Sequence, residues 1–121
     1  MTRRPLDNYL RTHRKRAGLS QEEASQLVGL RNRIQFARYE RYQAEPPLRV
    51  AFACEHVFGV PMAQLFAGLN TAVARQTRKR VQLFERRLHV TRARETSRQL
   101  QYKLQWISQR LRQVGNSNFI S

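Results

Sequence analysis

Apolar positions along this chain fall into two regimes, short runs cut by glycine and proline up to Gly68, then one long uncut stretch. Leu6 and Leu10 lie one helical turn apart, and Gly18 is a suitable C′ residue, so a first helix opens at Pro5 or nearby and stops at Gly18. Ser20-Gln21-Glu22-Glu23 has capping-box spacing: the Ser20 hydroxyl takes an orphan N–H, and Glu23 reaches back to the cap. The helix it opens directs Ala24, Leu27 and Val28 inward and ends at Gly29. Asn32 can cap a third helix, with Gln35 as a second capping-box candidate. In that helix Phe36 and Tyr39 define an inner side. Ile34, Arg38 and Arg41 fall on the outer side, with Arg33 and Gln35 on the flanks. Glu45-Pro46-Pro47 forces a loop, since a proline bars helical backbone from the residue before it. A fourth helix covers roughly Leu48 to Phe58, and a Gly59 break precedes a short fifth around Pro61–Phe66.

Beyond Gly68 the pattern changes. From Asn70 to Val114 there is neither glycine nor proline. Leu100, Leu104, Ile107, Leu111 and Val114 alternate at spacings of four and three; traced backwards, the same phase meets Ala93, Val90, Arg86 and Leu83. A different stripe, Val81, Phe84 and Leu88, serves the upstream half. This predicts two helices, or one bent helix, changing near His89–Thr91, with a frayed stretch after Gly115. The expected architecture is all-α: a five-helix domain over residues 1–68 and a basic helical extension over residues 69–121.

Charge sharpens that division. The chain carries +15, with 11 basic and 6 acidic side chains in residues 1–68 against 12 and 2 in residues 69–121, hence +5 and +10. Only Lys15, Lys79 and Lys103 are lysine; the other cations are arginine. A field this positive attracts a polyanion, and nucleic acid is the usual one. The run Arg75, Arg78, Lys79 and Arg80 suits a solvated face, or added phosphate contacts.

Helix, tight glycine turn, helix is a helix-turn-helix arrangement. A turn of this kind occurs in any small helical bundle; the residues around it carry more. The succession GLSQEEAS, then ARYER, then FGVPMAQLF, resembles the Xre family, the phage-repressor and Cro type of DNA-binding domain, over residues 6–68. The resemblance implies a five-helix repressor-like fold and double-stranded DNA as partner. Gln21 matches the glutamine that grips a DNA phosphate, and Arg14 and Glu40 match an ion pair tying the first helix to the third. Arg33, Ile34 and Arg38 match positions that face base edges, and Asn32 one near the backbone. Gln35 and Arg41 complete the candidate DNA-binding set. The sequence departs from the family in its spacing, with one residue more than usual between Gly29 and Glu40, which enlarges the turn at Leu30-Arg31-Asn32, and at Ile34, where the family frequently has a polar side chain. Ile34 then either meets a thymine methyl group or is buried by the altered turn.

Helix-turn-helix proteins read paired half-sites as dimers. The stripe Leu100, Leu104, Ile107 and Leu111 is accordingly read as a homodimer seam, with Tyr102 and Trp106 widening it; the alternative is a helix folded back on its own domain. Acidic residues are few, and neither a nucleophile motif nor a phosphate-cradling glycine loop occurs, so no enzymatic activity and no small-molecule ligand are expected. Cys54 lies in the apolar run VAFACEHVF and suits a small buried side chain; His13, His56 and His89 are scattered, so no metal or cofactor is expected. No apolar stretch is long enough to span a bilayer, which points to the cytoplasm and nucleoid. The reading is a dimeric, sequence-specific transcription regulator of repressor type. Two others remain, a protein-interaction module of antitoxin or antiactivator type and a charge-driven nonspecific nucleic-acid binder.

Overall fold

The computed structural model describes residues 8–91 and 97–120. Among them the chain is all-helical: α1 Leu10–Arg16, α2 Gln21–Leu27, α3 Arg33–Glu40, α4 Leu48–Phe58, α5 Met62–Leu65, α6 Ala67–Thr91 and α7 Ser97–Ile120. Two compact units divide the chain, residues 1–70 and 71–121. The helix α6 starts in the first and continues into the second, running through Gly68 without a break.

The first unit closes around one core. Leu10, Ala24, Phe36, Tyr39, Cys54 and Leu65, from five different helices, are buried there, with Leu30 and Leu69 packed against them. Local chemistry fixes the helix ends. The capping box of α2 is formed: Glu23 N–H donates to Ser20 Oγ at 3.0 Å, and Ser20 N–H donates to a Glu23 carboxylate oxygen at 2.9 Å. Glu55 accepts the Met62 N–H at 2.8 Å, where Pro61 opens the single turn of α5. The Tyr9 N–H donates to Leu65 O at 2.7 Å, joining the start of α1 to α5.

Three successive helices stop in the same way. The N–H of Gly18, Gly29 and Tyr42 each donates back to a carbonyl three residues earlier, and the following N–H reaches one five earlier. This Schellman motif needs a left-handed residue. Glycine supplies it after α1 (φ 74°) and α2 (φ 84°), but after α3 the position is Tyr42, at φ 60°. A side chain held there costs about 1 kcal/mol.

Several expectations are corrected. The described α1 starts at Leu10 rather than near Pro5; Pro5 and Leu6 lie outside the described residues. Leu27 is 57% exposed, and its inward place is taken by the fully buried Ser25. Ser25 can occupy it because its hydroxyl donates to Glu22 O at 2.7 Å, which satisfies the polar atom within the helix. Gln35 does not repeat the capping box; its amide donates to Tyr39 Oη at 3.1 Å. Instead, Asn32 Oδ1 caps α3 alone, accepting from Ile34 N–H and Gln35 N–H.

The second unit has a thinner interior. Leu88 and Ile107 are buried, while Val81, Leu100, Leu104 and Leu111 are half-buried. Arg78 Nη1 donates to Leu111 O at 2.9 Å, bridging α6 and α7. The change of phase falls where α6 ends, at Thr91. Leu83 and Val90, on the backward extension of the downstream stripe, are exposed, as is Phe84 at the edge of the upstream one. Ala93 and the side chain of Val114 lie outside the described residues. The helix α7 continues past Gly115 to Ile120, where fraying was expected. Tyr102 and Trp106, beside the downstream stripe, are 65% and 47% exposed.

Candidate nucleic-acid interface

The site is built on α3 and on what holds α3 in place. Phe36 and Tyr39 are buried on its inner side. Behind them, Arg14 Nε and Glu40 Oε2 form an ion pair at 2.6 Å, with only 11% and 3% of the two side chains exposed. A buried pair of this kind persists only when its remaining polar atoms are also satisfied. Here they are. Arg14 Nη2 reaches Glu40 Oε1 at 3.3 Å and Nη1 donates to Leu19 O at 2.9 Å, while Gln21 Nε2 donates to Glu40 Oε1 at 3.0 Å. One carboxylate therefore fastens α1, α2 and α3 together. Asn8 adds a second tie, its amide donating to Tyr39 O at 2.7 Å and its carbonyl accepting from Leu10 N–H.

With the inner side fixed, the outer one is set by helical geometry. Ile34, Arg38 and Arg41 project opposite Phe36 and Tyr39, and all three are exposed. Ile34 is 61% exposed, which decides its two alternatives in favour of the open one. Arg33 is exposed on the Glu40 flank; Gln35, half-buried, is held on the other by Tyr39. The longer turn leaves Arg31 and Asn32 exposed and turns Leu30 inward.

Beside this face lies a concavity of about 450 Å³ lined by Arg11, Arg14, Gln21, Glu40 and Arg41. The Arg14 and Glu40 charges offset one another there, so Arg11 and Arg41 leave the concavity net positive beside Gln21, the first residue of α2. Arg11 and Asn8 were missed by sequence reasoning. Arg11 sits almost one turn before Arg14, so helical spacing from the ion pair was the available signal; Asn8 left none.

Cys54 takes no part. It is fully buried in the core, and burial pushes its thiol up to about 12, so it carries no reactive thiolate. Among the described residues no helix is long and apolar enough to cross a membrane.

A helix-turn-helix family profile matches residues 10–65, which run from the start of α1 to the end of α5. No curated protein and no solved structure matches the chain. The matched segment holds the Arg14–Glu40 tie and the exposed face of α3, while Asn8 lies just before it. Residues 10–65 thus form an Xre-type helix-turn-helix domain, which supports a DNA-binding transcription regulator.

Proposed function

We propose that the protein is a sequence-specific repressor that reads paired half-sites as a dimer, with no catalytic step. The outer face of α3 carries this reading: Arg38, Ile34 and Arg33 are exposed on a helix whose position is fixed by a buried ion pair. Arginine can hold guanine O6 and N7 at two points, and isoleucine can meet a thymine methyl group. Gln21, Asn32, Arg41 and Arg11 then hold phosphates and set the register. A bound domain blocks polymerase by its bulk alone, so repression asks for nothing beyond DNA binding.

Dimerisation is assigned to the second unit. Ile107 is buried within the single chain, so Leu100, Leu104, Ile107 and Leu111 do not stand open for a partner. Exchange of α7 between two copies would keep each of these side chains in the same surroundings, a low-cost route from one chain to two. Trp106 falls outside such a seam.

The test is binding to the best genomic site and to each of its single-base variants. Arg38→Ala should remove roughly 1–3 kcal/mol of discrimination at one base pair, whereas Gln21→Ala should weaken every sequence alike. Uniform weakening by Arg38→Ala would demote it to a phosphate contact. Sedimentation of the whole chain against a residue 1–70 fragment tests the dimer: a chain monomeric at all concentrations sinks it.

A further inference from the structure

The second unit has a surface that neither the DNA-reading helix nor its own interior uses. Along α7, Arg98, Tyr102, Trp106 and Arg110 follow one another four residues apart and form a single ridge, which starts opposite Ile107 at Arg98 and winds round to its flank at Arg110. Both rings are exposed, 65% for Tyr102 and 47% for Trp106, and both flanking arginines are exposed too. Arg110 donates to Gln113. The two large rings stand in line with cations, apart from the apolar stripe that turns Ile107 fully and Leu100, Leu104 and Leu111 partly inward.

We propose that this ridge is a second nucleic-acid site, a stacking platform for single-stranded nucleic acid, separate from the duplex-reading face of α3. The partner must be a polyanion, because residues 69–121 carry +10 with only Glu85 and Glu95 acidic. A second copy would set Arg98 and Arg110 against their own kind. A lipid surface would need a broad apolar face, yet the positions around the two rings are Gln99, Gln105, Gln109 and Gln113. The rings then choose between the forms of nucleic acid. In a duplex the base faces are covered by their neighbours, so phosphate contacts alone would leave Tyr102 and Trp106 idle. Unpaired bases present free π-faces, and four residues of helix place the rings about 6 Å apart along the axis, room for one base on each. The arginines at either end meet the backbone phosphates.

Trp106 is the only tryptophan, so its emission reports on the ridge directly. Titrating the full chain with a short oligodeoxythymidylate, which cannot pair with itself, should quench that emission in a saturable, salt-dependent way. With a labelled oligonucleotide followed by anisotropy, Tyr102→Ala/Trp106→Ala should bind about tenfold or more weakly, and Tyr102→Phe/Trp106→Phe should restore most of the loss. Arg98→Ala/Arg110→Ala should lower the salt slope by roughly 0.7 per arginine. Binding of duplex operator should be unchanged in the alanine double variant, and Arg38→Ala should leave single-strand binding intact, so failure here is distinguishable from failure of the α3 reading. Both rings are exposed, so helicity by circular dichroism should not change. The proposal is overturned if oligodeoxythymidylate leaves Trp106 emission unaltered, or if the alanine double variant binds it like the parent chain. It is equally overturned if anionic phospholipid vesicles shift the emission while the oligonucleotide does not, or if the variant loses only self-association.

Discussion

The two units differ in how they hold their arginines. In the first, each cation that matters has a set position: Arg14 is locked by Glu40 and Leu19, and Arg38 projects from a helix capped by Asn32 and tied at its end by Asn8. In the second, arginines ride on two long helices whose interior rests on Leu88 and Ile107. A site that discriminates bases needs side chains fixed to a fraction of an ångström, and a closed core with satisfied polar ties provides that. A site that only follows a backbone needs charge and exposed rings, which a thin helical unit can present. Equal chemistry on unequal scaffolds thus suits unequal tasks.

That contrast can be broken at its strongest point first. Phe36 is fully buried at the centre of the first unit, so Phe36→Ala should cost about 3–5 kcal/mol and abolish its cooperative melt in the residue 1–70 fragment. A fragment still melting cooperatively near the parent temperature would mean that this core is not what fixes α3.

Next in size is the ion pair. Glu40→Ala leaves a largely buried Arg14 without its carboxylate, and removal of one partner from such a pair costs roughly 3 kcal/mol. The pair would contribute under ~1 kcal/mol if exposed; its burial is what raises the expectation. A double-mutant cycle of Arg14→Met with Glu40→Gln, read by thermal stability, should show clear coupling, and strict additivity would remove the tie from the description of the site.

Smaller again is the α2 cap. Ser20→Ala should cost about 1 kcal/mol. The backbone and hydroxyl of Ser20 both hold the exposed Glu23 carboxyl below its ordinary value. A carboxyl depressed on folding stabilises the fold above its unfolded pKa, and that contribution fades as pH falls through the lower folded pKa. Acid titration of stability should therefore lose a component in Ser20→Ala, and identical acid profiles would contradict it.

The smallest effect has the opposite sign. Tyr42→Gly should stabilise the first unit by about 0.5–1 kcal/mol, since glycine adopts φ 60° without the steric cost of a side chain. Destabilisation instead would show that the Tyr42 ring makes a contact worth more than its backbone strain.

The elements of the first unit were legible because their signals are local. Ser20 and Glu23 cap whatever surrounds them, Pro46-Pro47 breaks any helix, and Leu48–Phe58 emerged with the bounds its pattern gave. The outer face of α3 followed from helical periodicity once Phe36 and Tyr39 were set inward. Leu27 and Ser25 show the limit: hydrophobicity assigned the wrong one to the interior, because the choice depended on which way α2 rolls against α3 and on a hydroxyl bond within the helix.

What the sequence alone determined about this protein is its local chemistry: helix ends, the charge division between +5 and +10, and the residue types on each face. Tertiary structure alone decided which of those residues meet. Asn8 reaches Tyr39 across 31 positions and Arg14 reaches Glu40 across 26, and Gln21 joins the same carboxylate. It also decided that Ile107 is buried within the chain while Tyr102 and Trp106 face out, although all three belong to one helix. Periodicity fixes angles around a helix axis, but only packing fixes which angle points inward, because burial is a property of neighbours distant in sequence.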